Sequence, residues 1–189
     1  MTKTRYNKQQ LNELLYQAIE TKRGGIKIYE MALRCALNKD LKDEWEEHLT
    51  QTLDHQQELL GVLNDLGLNP ETRSPGRDVV AHIDDALVDA IKLAQKEGTG
   101  EAAQLVAGEC VVLAETKDYQ NLELIEHLAK HDQGRIVNVL KATFDSVERE
   151  EQDRLYHTKG FLRELWIDSF GLPAILPPPE KVKKLDFGD

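Results

Sequence analysis

The stretch LKDEWEEHLTQTLDHQQELLGVLNDL, residues 41–66, decides the fold. Leu41, Trp45, His48, Thr52, His55, Leu59, Val62 and Leu66 recur at alternating steps of four and three, the spacing that lines one face of an α-helix. Asp40 predicts an N-cap in front of it, and Gly67 a stop behind it. His48 and His55 ride on the apolar face two turns apart, about 10 Å along the axis. That gap is too long for both to bind one ion comfortably. A face that carries imidazoles into a core must pair them or bind a metal, because unpartnered polar burial is costly.

The same rhythm extends in both directions. Leu11, Leu15, Ile19, Ile26, Leu33 and Leu37 predict a helix over 7–37, with Gly24-Gly25 marking a bend or a close approach of a neighbour. The tight break at Asn38-Lys39-Asp40 makes the first two helices antiparallel neighbours. Residues 68–77 read as a linker. Val79, Val80, Ile83, Leu87 and Ile91 predict a shorter helix ending near Glu97, before the Gly98-Thr99-Gly100 break. A long helix follows over 101–130, and another begins near Asp132 and runs to Leu165 or Phe170, with Gly160 as a kink point. Pro173 and Pro177-Pro178-Pro179 cannot sit inside a helix, so 171–189 is expected to be an extended Pro-rich tail. Four long helices and a crossover holding a short fifth one predict an all-α, antiparallel four-helix bundle of the ferritin-like kind over 7–170.

Composition narrows the function classes. With 34 acidic against 24 basic residues the chain carries a formal charge of −10, which argues against nucleic acid and anionic lipid as partners. Lys181, Lys183 and Lys184 form a short basic cluster confined to the tail. No run of 18 apolar residues predicts a membrane span, no apolar leader follows Met1, and a cytoplasmic location is the expectation. Cys35 and Cys110 fit no zinc or redox spacing and read as small buried hydrophobes. Leu172, Ile175 and Leu176 in the tail offer apolar contacts to the body, to a protein partner, or across a homodimer.

Ionisable residues near the apolar stripes are the candidate chemistry. On the first helix Glu30 lies four after Ile26 and three before Leu33; Glu20 lies beside the stripe. Glu109 and Glu115 occupy the third long helix, with Tyr119 one turn beyond. Glu148 and Glu151, three apart on the fourth, can share adjoining inward positions. With His48 and His55 these carboxylates make the oxygen-rich set that suits a dinuclear iron or manganese centre. The competing reading leaves them as solvated or ion-paired groups and the histidines as satisfied interior residues. His127, His131 and His157 fall off the stripe or near helix ends and stay outside the set.

The chain resembles the YciE-type ferritin-like family over residues 10 to 155. His48, Leu49 and Thr52 match its His-Leu-x-x-Thr element, and Glu115 and Tyr119 match the second half of its Glu-x-x-Glu-x-x-x-Tyr motif. The acidic run from Glu148 to Asp153 is similar to its fourth helix. The resemblance implies kinship with rubrerythrin and manganese catalase, a dinuclear Fe or Mn cofactor, activation of O₂ or peroxide, and a stress-related role. In that scheme Tyr119 would supply a proton or an electron. Val112 stands where the motif has its first Glu, and the first-helix position offers only Glu20 or Lys22. These departures imply the alternative, a metal-free scaffold or interaction module on the same fold.

Overall fold

The computed structural model describes residues 6–131 and 135–182, and within them the side chains of all but 131, 135–137, 142–146, 148, 149 and 182. Among the described residues six helices follow in order: α1 Lys8–Ala32, α2 Lys39–Asp65, α3 Pro75–Glu97, α4 Gly100–His131, α5 Arg135–Ser169 and α6 Pro179–Val182. No strand occurs among the described residues, so the all-α expectation holds. None of the described helices is long and apolar enough to cross a membrane.

Helix α1 packs on α2 and α4, and α5 packs on the same two, so the four long helices close a ring of neighbours. Helix α3 lies against α1 and α4 outside that ring. It ends at Glu97 as its apolar positions predict and is shorter than the ring helices, with 23 residues against 25 for α1, but it begins at Pro75, inside the stretch read as a linker. The difference lies at its N-terminus: Ser74 caps the Arg77 amide and Pro75 takes the first turn, where a missing N–H costs nothing. Gly24 explains the approach of α3 to α1, since a Cβ there would lie 1.9 Å from Asp84 Oδ2 on α3.

Other boundaries follow from capping. Asn38, not Asp40, caps α2 by accepting from the Leu41 amide. Helix α1 stops at Ala32, and the amides of Leu37 and Asn38 are both taken by the buried Gln104 Oε1, at 2.7 and 2.8 Å. At the far end of α2, Gly67 has φ of 69° and donates to Asn64, while Leu68 donates to Leu63. That pair is the Schellman stop the glycine predicts.

The tail is not simply extended. After Gly171 the chain turns back, Leu176 packs into the core, and the Ile175 amide donates to Glu164 Oε2 at 2.9 Å. Arg163 on α5 grips both oxygens of Glu180, which leads α6. Helix α5 runs unbroken through Gly160, where a Cβ would meet Glu180 Oε2 at 2.8 Å.

The core is divided along the bundle. One apolar cluster holds Leu11, Leu15, Ile19, Leu59, Leu63, Leu122, Ile125 and Leu140. The other holds Ile28, Tyr29, Trp45, Ile91, Val111 and Phe161. On every helix of the ring, buried polar residues fall between the two: Lys22 on α1, His48 to His55 on α2, Glu115 to Asn121 on α4, and Glu151 to Thr158 on α5. The apolar clusters exclude water from both ends of this polar layer.

Candidate functional site: a buried polar layer with two clusters

In the first cluster Glu115, Asp118 and Glu151 are all at least 96 % buried, and each offers an oxygen within 4.8 Å of the others. Two cations of the chain are already among them. Lys22 Nζ lies 2.6 Å from Asp118 Oδ2 and 2.5 Å from Glu151 Oε1. Arg154 donates to Glu115 Oε1 at 2.5 Å and to Glu151 Oε1 at 3.2 Å. His55 Nδ1 meets the same Glu151 oxygen at 2.8 Å, and its Nε2 meets Glu150 at 3.0 Å.

These contacts set the charges. Burial works against ionised Glu151, but Arg154, Lys22 and the His55 hydrogen bond outweigh it and hold the carboxyl well below its usual range. Burial likewise works against charged Lys22, and Asp118 and Glu151 more than compensate, so the ammonium keeps its proton. Asp118 goes the other way: burial, with Glu151 as the next cause, pushes it up to about 7. Two fixed cations thus sit among Glu115, the ionised Glu151 and an Asp118 that holds its proton near neutrality, and the second oxygen of each of the three carboxylates is buried without a hydrogen-bond partner.

In the second cluster, one step toward the other apolar core, Glu44 Oε1 is 3.2 Å from His48 Nε2 and 2.8 Å from His157 Nδ1. Lys181 of α6 pairs with the other Glu44 oxygen. Burial disfavours the Glu44 anion, but hydrogen bonds from His157, His48 and Lys181 hold its pKa far below the ordinary range. Tyr29 joins the clusters: its hydroxyl donates to Glu115 Oε1 at 2.6 Å and lies 3.3 Å from His48 Nδ1. Burial and the Glu115 charge raise the Tyr29 pKa well above the ordinary phenol value, so it acts as a neutral donor.

Of the residues predicted from sequence, the fold brings His48, His55, Glu115 and Glu151 into this layer. The two histidines enter different clusters, in keeping with their spacing. Glu30 and Glu109 are exposed and take no part. Extending the α1 stripe through Ile26 predicts an inward Glu30, whereas the buried side chains beyond Ile19 are Thr21, Lys22, Ile28, Tyr29 and Ala32. Glu109 turns outward because Ala107, Cys110, Val111 and Ala114 face the core. Tyr119 is half-buried, and the Glu148 side chain lies outside the described residues.

Sequence reading missed Lys22, Tyr29, Glu44, Asp118, Arg154 and His157. Signals existed for some of them. Lys22 continues the stripe of Leu15 and Ile19, Glu44 stands one turn before His48, and Asp118 and Arg154 each follow a buried glutamate by three. His157 lies off the apolar stripe, and its hydrogen bond to Glu44 brings it into the layer.

Glu115, Asp118 and Glu151 could hold a metal ion, but Lys22 and Arg154 among them oppose the dinuclear centre that the ferritin-like resemblance implies. A divalent ion about 4 Å from a fixed ammonium meets roughly 8 kcal/mol of repulsion at an effective dielectric near 20. Lys22 and Arg154 already hold Glu151 Oε1 and Glu115 Oε1. Compared with family models, with curated proteins and with solved structures, the chain matches none.

Proposed function

We propose that this chain is a ferritin-like helical bundle whose mid-bundle centre works without metal, serving as a structural or protein-interaction module instead of activating O₂ or peroxide. The carrying observation is the position of Lys22 Nζ, 2.6 and 2.5 Å from two carboxylates of the would-be centre. Its ammonium and the Arg154 guanidinium supply the positive charge that iron or manganese would otherwise bring. The exposed apolar side chains Trp166, Phe170, Leu172 and Ile175, 37 to 66 % exposed, with the first two rings 5.7 Å apart, are what the end of α5 and the start of the tail offer to a partner or to a second copy.

Native mass spectrometry after anaerobic reconstitution with Fe(II) or Mn(II) tests both parts at once. The expected species is a dimer with at most one ion per chain, and with a metal content that Glu151→Ala leaves unchanged. Two ions per chain, lost in Glu151→Ala, would restore the dinuclear reading. A monomer at micromolar concentration would remove self-association from the proposal.

A further inference from the structure

The second cluster has different chemistry from the first. It contains two imidazoles and one carboxylate, the mixed set that borderline first-row divalent ions favour over Mg or Ca. Glu44 and His48 stand one helical turn apart on α2, and His157 reaches them from α5. Metal–N and metal–O bonds of about 2.1 Å place ligand atoms about 3.4 Å apart in a tetrahedral site. The observed separations of 3.2 and 2.8 Å from Glu44 Oε1 need open only by tenths of an ångström.

Counting protons gives a second, independent reason. Tyr29 spends its single proton on Glu115 at 2.6 Å. Its oxygen therefore accepts from His48 Nδ1–H at 3.3 Å, which leaves the Nε2 lone pair 3.2 Å from Glu44 Oε1. Two acceptors 3.2 Å apart require a cation between them, either a second proton on the ring or a metal ion. Fixing the far ring nitrogen with a hydrogen bond is also how metal-binding imidazoles are oriented.

The cluster has an opening and a resident cation. The His157 side chain is 20 % exposed, the Lys181 side chain is 34 % exposed, and Glu44 beneath them is almost wholly buried. Lys181 belongs to the folded-back tail, where its ammonium also stands 5.9 Å from the centre of the Phe161 ring.

We propose that Glu44, His48 and His157 bind one first-row divalent ion, and that the ion displaces Lys181 and loosens the tail segment that carries it. None of the three ligands belongs to the mid-bundle cluster, which the site touches only through the Tyr29 hydrogen bond to Glu115. It therefore stands or falls separately from the functional reading above.

Titration of the full chain with Co(II), followed by visible absorption and calorimetry, tests it. One Co(II) per chain is expected, with intense d–d bands of low-coordinate geometry. His157→Ala and the volume-keeping His157→Gln, at a half-open position that tolerates change, should each weaken binding by at least about tenfold. Lys181→Met should tighten it several-fold, and Glu151→Ala should leave it unaltered. Hydrogen exchange around residues 176–182 should quicken when Co(II) is bound. Binding that survives both His157 variants, or that disappears in Glu151→Ala while persisting in them, overturns the assignment. So does the absence of Co(II) binding in both the native chain and the folded Lys181→Met variant. Unchanged exchange in the tail with Co(II) bound would refute the displacement step alone.

Discussion

Lys22 is 1 % exposed and exchanges the hydration of its ammonium for contacts with Asp118 and Glu151. Desolvating an ion costs several kcal/mol, and only close opposite charges return it. Removing one partner of such a buried set leaves uncompensated charge, typically at a cost of about 3–5 kcal/mol. Lys22→Met is therefore expected to destabilise the chain by that amount in urea unfolding. Adding Glu151→Gln to it should recover part of the loss, since the two sites share one network. A Lys22→Met variant within about 1 kcal/mol of the parent would show that the ammonium does not anchor this layer. The Lys22 position on the stripe was legible from Leu15 and Ile19. Its burial was not, because a lysine at a stripe position ordinarily extends its head to water.

Helices α1 and α3 meet through Gly24, and the neighbouring Gly25 gives a built-in control. A Cβ at Gly24 would meet three atoms of Asp84 between 1.9 and 2.5 Å away, whereas at Gly25 the nearest atom is Thr52 Cγ2 at 3.7 Å. Gly24→Ala should cost about 1–3 kcal/mol through overpacking. Gly25→Ala should be neutral or stabilise by up to about 1 kcal/mol, since alanine is the better helix former. Chemical denaturation midpoints of the two variants check the pair, and equal effects would contradict this packing of α3. The Gly24-Gly25 doublet announced a bend or a close approach. Which glycine is pressed depends on where α3 docks, and nothing local to α1 encodes that.

Across the whole molecule, the buried acids make stability depend on pH in opposing ways. Burial, reinforced by Glu20 on α1, Asp118 on α4 and neighbouring Asp85, with Lys27 opposing, pushes Asp84 up to about 7. A carboxyl whose folded pKa exceeds its unfolded value of about 3.9 binds more protons when folded, so its contribution to stability falls as pH rises between the two. Glu151 is held well below its ordinary range and acts conversely: its contribution is present above the unfolded pKa and lost in acid. Asp84→Asn should therefore raise the melting temperature at pH 8, with the gain shrinking toward pH 4. A shift that is the same at every pH would mean that Asp84 titrates normally. What residues 41–66 and their neighbours determined by themselves is the helical rhythm, the antiparallel α1–α2 pair, the Gly67 stop, and the presence of His48, His55, Glu115 and Glu151 near the core, because periodicity and capping are local. Only the tertiary structure decided that α1 is buried on two sides, against the ring and against α3, so that Glu30 faces solvent and Lys22 does not. It alone joined Lys22 to Glu151 across 129 residues, and Glu44 to His157 across 113. The physical reason is that a buried charge takes its meaning from its partners, and these partners come from other helices.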